Sequence, residues 1–169
     1  MHTSAYNNCE KFFRDYIKDF DKQSIVVDFG SFNVNGTVKP IFKDFDYKGI
    51  DISEGPNVDI VVAPGDETPF KDGEVSVVVS SSNFEHDECF WVTFLEMCRI
   101  TKKGGYIYIN APSAGYYHGY PIDCWRFFAD SWKSLEKWAK KNDYNLKLVE
   151  TYIDQSDEWK NSVGIFQML

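Results

Sequence analysis

The residues best placed by type and spacing to do chemistry are Asp28, Gly30 and Ser31, which close the apolar run Ile25-Val26-Val27, and Asp51 and Ile52, which close the run Tyr47-Lys48-Gly49-Ile50. A buried parallel strand delivers its last residue to the carboxyl edge of a sheet, where Gly30 lets the backbone turn sharply and leaves room for a ligand against the main chain. An acid ending the next strand, about twenty residues on, lies across the crevice and accepts hydrogen bonds from the two hydroxyls of a ribose. The spacing points to an adenosine-containing ligand.

Charge narrows the choice. A dinucleotide site needs Gly-x-Gly-x-x-Gly so that a helix N-terminus can approach a pyrophosphate, but Phe32 occupies the third position and the next glycine is Gly36, which disfavours NAD. The P-loop lysine pattern is absent as well. Asp28 has the wrong sign for phosphate and the right sign for the ammonium and sulfonium groups of S-adenosylmethionine.

The elements that must position these residues follow from periodicity. Short runs rich in Val, Ile and Tyr predict strands at 25–29, 47–51, 59–62, 75–80 and 106–110, with a closing antiparallel pair at 146–153 and 163–168. Phe12, Phe13, Tyr16, Ile17 and Phe20 predict an amphipathic helix over 9–20, within an N-terminal helical cover over 1–22. Further helices are expected at 36–44, weakened by Pro40, at 88–101 and at 129–141. Residues 53–58 are too few for a full crossover helix. The expectation is a single α/β domain over 1–169, a doubly wound, mostly parallel seven-stranded Rossmann-like sheet with reduced helices.

Asp28-Phe29-Gly30-Ser31-Phe32-Asn33-Val34-Asn35-Gly36 resembles the first motif of class I S-adenosylmethionine-dependent methyltransferases, closest to a small bacterial type with an Asp-x-Gly-Ser-x-x-Val-Asn-Gly turn. Gly49-Ile50-Asp51-Ile52, Gly55-Pro56-Asn57-Val58-Asp59, Thr68-Pro69-Phe70, Asn83-Phe84-Glu85-His86-Asp87, Phe94 to Arg99 with Lys103-Gly104-Gly105, and Tyr120 to Phe127 follow in that family's order, over roughly 24–140. The resemblance implies S-adenosylmethionine as cofactor, an acid after the third strand (Asp66 or Glu67) facing the adenine amino group, and Ser82 and Asn83 near the sulfonium. It also implies that the N-terminal helix lids the cofactor.

The acceptor side is read from position. Residues 111–128, after the fifth strand, concentrate tyrosines (Tyr116, Tyr117, Tyr120) with His118, Asp123 and Arg126 at the edge that faces the methyl group. His118 and Asp123 are expected near the acceptor, Arg126 as a structural partner, and His86 as a further base because imidazole titrates near neutrality. With no separate substrate domain, a small-molecule acceptor is expected, methylated on oxygen or nitrogen, with sugars and aromatic compounds as the candidates. A non-catalytic S-adenosylmethionine-binding scaffold is the rival reading, since Phe32 departs from the common glycine pattern.

Composition sets the outer bounds. A net charge of -8, without a lysine- and arginine-rich run, argues against nucleic acid as substrate. Cys9, Cys89, Cys98 and Cys124 form no C-x-x-C pair and no histidine cluster of zinc spacing accompanies them, so reduced thiols and no metal site are expected. No apolar stretch approaches a membrane span, and the chain reads as cytoplasmic. Nothing in it fixes the oligomeric state.

Overall fold

Period-two alternation along the strands sorts side chains into two cores, one on each face of a single sheet. On one face Val27, Val78, Ile107, Ile109 and Phe166 pack with Phe94 and Met97 of one helix and Trp132 and Leu135 of another. On the other, Val26, Val77, Val79, Tyr108 and Ile165 pack with Cys9, Phe12 and Ile17 near the N-terminus. The structure is a computed structural model and describes residues 2–169. Met1, the first residue of the expected N-terminal cover, lies outside the described residues.

The strands are β1 (Ile25–Phe29), β2 (Asp46–Asp51), β3 (Ile60–Val61), β4 (Val75–Ser81), β5 (Thr101–Pro112), β6 (Leu146–Ile153) and β7 (Asn161–Met168), in the spatial order β3-β2-β1-β4-β5-β7-β6. The first five are parallel, and β7 inserts antiparallel between β5 and β6. The order reverses between β1 and β4, which opens a crevice beyond their carboxyl ends. The expected α/β Rossmann-like sheet is present. Among the described residues no helix is long and apolar enough to cross a membrane.

Three helices flank the sheet: α1 (Thr3–Phe12), continued by a π-helical turn (Phe13–Ile17), α2 (Phe90–Ile100) and α3 (Ala129–Lys141). The expected N-terminal helix over 9–20 thus begins six residues earlier. Its first turns bury Ser4, Ala5 and Asn8 rather than large apolar groups, and the sheet satisfies them: Asn161 Nδ2 donates to Ser4 Oγ at 2.8 Å and Asn8 Nδ2 to Asn110 Oδ1 at 3.3 Å. The helix expected at 36–44 is only a 3-10 turn at Lys39–Phe42, with Pro40 unable to donate a helical hydrogen bond. The 53–58 crossover is a loop, and β3 shrinks to two residues. With both crossovers reduced, the ends of β1, β2 and β3 stand open to ligand.

Candidate active site

The turn after β1 is built for close approach. Gly30 has φ +79°, and a Cβ there would fall 2.4 Å from the Asn83 side chain, so the loop after β4 seats directly on this glycine. Gly49 has the same role on the neighbouring strand, since a Cβ would meet the Asn57 carbonyl at 2.1 Å and Ser31 Oγ at 2.6 Å. Phe32, which stands where a second glycine is common, rests its ring on Gly55, where a Cβ would lie 2.1 Å from the ring. The absence of a side chain at Gly55 accommodates that departure.

Asp51 is held in position by main-chain donors: Phe32 N–H donates to Oδ2 at 3.0 Å and Ile52 N–H to Oδ1 at 2.8 Å. Asp28 is buried beneath the turn and accepts a hydrogen bond from the Tyr47 hydroxyl at 2.5 Å. Burial pushes its carboxyl up to about 7, partly offset by Tyr47 and reinforced by the nearby charge of Asp51. Asp66 and Glu67 lie exposed in the loop after β3.

A cavity of about 1260 Å³ follows the carboxyl edge of the sheet from these residues to the loop after β5. Small-molecule sites usually enclose roughly 300–1,000 Å³, so there is room for two ligands side by side. Asp28, Gly30, Ser31, Asp51, Ile52, Asp66, Glu67, Ser82, Asn83, His86 and His118 all line it. Asp123 does not. Its carboxylate lies behind the wall, gripped by Arg126 through Nη1 at 2.5 Å and Nη2 at 2.8 Å and accepting the His118 N–H at 2.8 Å. The Arg126 guanidinium holds it well below the usual carboxylate range. Asp123, expected near the acceptor together with His118, thus holds the backbone of His118. Tyr120 lines the cavity, whereas Tyr116 and Tyr117 do not.

Residues 115–127 are stitched to the loop after β4. The Glu85 carbonyl accepts the N–H groups of Cys124 at 2.7 Å and Trp125 at 3.2 Å, and Trp125 Nε1 donates to the Asp87 carbonyl at 2.9 Å. His86 Nδ1 lies 2.5 Å from the Ile122 carbonyl. Burial drives the pKa of His86 down and that of the Glu85 carboxyl up, to about 8, with Arg126 among the groups that oppose the latter. Their 3.7 Å contact is too long for a hydrogen bond.

Two wall residues lay outside the expectation. Glu85 is 1% exposed beside His86, with its Oε2 buried and unpartnered. Its one sequence signal was an acid directly before the candidate histidine. Trp159 arrives from the β6–β7 hairpin and packs edge-on to His118 at 4.5 Å, with Gly115 flush against its ring. Nothing local in the sequence marks it. All four cysteines are free: Cys9 and Cys98 buried, Cys89 and Cys124 exposed.

The sheet order and the cleft at its switch point define the Rossmann-like methyltransferase fold. Geranyl diphosphate C-methyltransferase from Streptomyces coelicolor A3(2), in complex with Mg2+, geranyl diphosphate and S-adenosyl-L-homocysteine, superposes with a TM-score of 0.69 at 12% identity, covering 96% of this chain and 77% of that one. The 1,6-didemethyltoxoflavin-N1-methyltransferase of Burkholderia thailandensis, with bound 1,6-didemethyltoxoflavin and S-adenosylhomocysteine, gives 0.73 at 9% identity over 98% and 78%. In sequence, residues 40–109 match the methyltransferase domain family. The chain is 30% identical over 110 residues to an uncharacterized methyltransferase of Mycobacterium sp. (strain JLS), across 62% of this chain and 44% of that protein. It thus spans less than half the length of that relative.

Proposed function

We propose that this protein transfers a methyl group from S-adenosylmethionine to a small-molecule acceptor, at a hydroxyl or amino group of a sugar or aromatic compound. The observation that carries the reading is the cavity itself: one end is framed by main-chain-held Asp51 and the Gly30 cradle, the other by two imidazoles. The residues fit the cofactor. Ser31 Oγ, Ser81 Oγ and Glu85 Oε2 are buried without partners on residues that line this cavity, as expected of groups that await a polar ligand. A Cβ at Gly30 would displace Asn83 from its seat in the cradle.

In this reading Asp51 accepts the ribose hydroxyls, Asp66 or Glu67 the adenine amino group, and Asp28 faces the ammonium, with Gly30, Ser31, Ile52, Ser82 and Asn83 shaping the cleft. The bound cofactor supplies an electrophilic methyl group on a sulfonium. The chain's own task is alignment and exclusion of water, with the acceptor held at the Tyr120 and Trp159 wall. His118, held by Asp123 and Trp159, and His86 are the groups that act on an acceptor proton. Acceptor identity rests on these side chains and not on the fold.

Thermal unfolding with S-adenosylmethionine, S-adenosylhomocysteine or NAD, beside Asp51→Ala, tests the cofactor. A ligand that binds only the folded state, at a hundred times its Kd, adds about 2.7 kcal/mol. Stabilisation by the two sulfur ligands alone, lost in Asp51→Ala, is expected. No stabilisation of the wild type would remove the reading.

A further inference from the structure

The acceptor end of the cavity gathers three metal-ligating side chains from two distant segments. One oxygen of Glu85 and one ring nitrogen each of His86 and His118 lie within 4.8 Å of one another. Glu85 Oε1 stands 3.7 Å from His86 Nε2, too long for a hydrogen bond, and Glu85 Oε2 has no partner although it is buried. A buried carboxylate faced by two imidazoles, yet bonded to neither, has the spacing of ligands around an ion rather than of a hydrogen-bonded network.

The orientation of both rings agrees. His86 Nδ1 is hydrogen-bonded to the Ile122 carbonyl at 2.5 Å, and His118 Nδ1 faces the Tyr116 carbonyl at 3.4 Å with Asp123 Oδ2 3.1 Å away. With oxygen acceptors facing Nδ1 of each ring, Nε2 is the nitrogen left to offer a lone pair to a ligand. A carbonyl behind one histidine and a carboxylate behind the other is the outer support that fixes metal-binding imidazoles. Arg126, the neighbouring cation, is neutralised by its two-pronged bond to Asp123.

We propose that Glu85, His86 and His118 bind a divalent transition-metal ion at the acceptor end of the cavity, with Zn2+ the ion their two-nitrogen, one-oxygen set suits best. Three protein ligands leave a coordination position open to the cavity. That position takes the acceptor's hydroxyl oxygen and lowers its pKa, so that its proton passes to solvent. The oxygen lone pair then forms the bond to the methyl carbon as the carbon–sulfur bond breaks, its electron pair going to sulfur. The two imidazoles act on the proton through the ion, and the acceptor class narrows to hydroxyl compounds. This use of the site rests on the methyl-transfer reading, whereas the metal site stands on its own geometry. Sequence spacing predicted no such site, because the third ligand is carried in on a loop that backbone hydrogen bonds pin to Glu85.

The test uses the full chain, tag-free and chelator-stripped, titrated with Zn2+ by calorimetry and with Co2+ by visible absorption. His118→Ala and Glu85→Gln are compared with a Cys89→Ser, Cys124→Ser double variant, and each protein is also melted with S-adenosylmethionine. Expected are one bound ion, affinity lower by at least about 100-fold in His118→Ala and Glu85→Gln, and no change in the cysteine variant. His118→Ala changes a loop side chain and keeps the test valid if Glu85→Gln does not fold. No binding by the wild type, or binding that survives His118→Ala and vanishes with the cysteines, overturns the proposal. Stabilisation by S-adenosylmethionine without metal binding refutes the site and leaves the methyl-transfer reading. Metal binding without that stabilisation does the reverse.

Discussion

Replacing Asp28 by asparagine should stabilise this protein at alkaline pH while weakening its hold on a cationic ligand. The carboxyl lies beneath the β1 turn at 4% exposure, with the Tyr47 hydroxyl from β2 as its donor and the Cys9 thiol of α1 and the carboxylate of Asp51 nearby. Burial lifts it from 3.8 to about 7. Below the lower value Asp28 is protonated in both folded and unfolded chains. Between the two values the unfolded chain ionises first while the folded protein keeps its proton, so stability falls as pH rises. Above pH 7 both states are ionised and the full penalty applies, up to about 4 kcal/mol for a rise of this size. Asparagine carries no charge at any pH and still offers Tyr47 an oxygen acceptor. Urea unfolding of both proteins from pH 4.5 to 8.5 at constant ionic strength measures the difference directly. The variant should already exceed the wild type by about 1 kcal/mol at pH 4.5, and the difference should grow until it levels off near pH 8. Calorimetry at pH 8 should show weaker binding of S-adenosylmethionine, since the ionised carboxylate that destabilises the empty fold is the group that faces the ammonium. A stability difference independent of pH, or a variant less stable at pH 8, would refute the burial argument.

Two further outcomes follow from close packing. Gly30→Ala forces a side chain into left-handed backbone and against Asn83, so it should lose about 1–2 kcal/mol and abolish stabilisation by S-adenosylmethionine, read in one thermal melt. Trp132→Phe removes the Nε1 hydrogen bond to Ser162 Oγ at 2.8 Å and shrinks a ring stacked on Phe127 in the core. A loss of about 2–4 kcal/mol is expected in urea unfolding, and a loss below about 1 kcal/mol would mean the site repacks freely.

Legibility followed whether a signal was local. The strand at 25–29 and the helix at 129–141 sit where apolar periodicity put them, because each buries its face with side chains of its own sequence. The N-terminal helix was misplaced because its first turns bury Ser4 and Asn8, polar groups that are stable inside only once Asn110 and Asn161 meet them. The helix at 36–44 yielded to Pro40.

The site divides in the same way. Asp28, Gly30 and Asp51 were readable as strand ends and a turn because such positions impose residue types over a few places, and the sequence by itself determined the α/β class and the sheet edge that carries the cleft. Tertiary structure alone decided that Asp123 stands behind the wall, that Trp159 closes it and that Glu85 faces two imidazoles. The reason is physical: those relations arise from loops and a hairpin brought together across the sheet by backbone hydrogen bonds, and such bonds leave no mark on residue type.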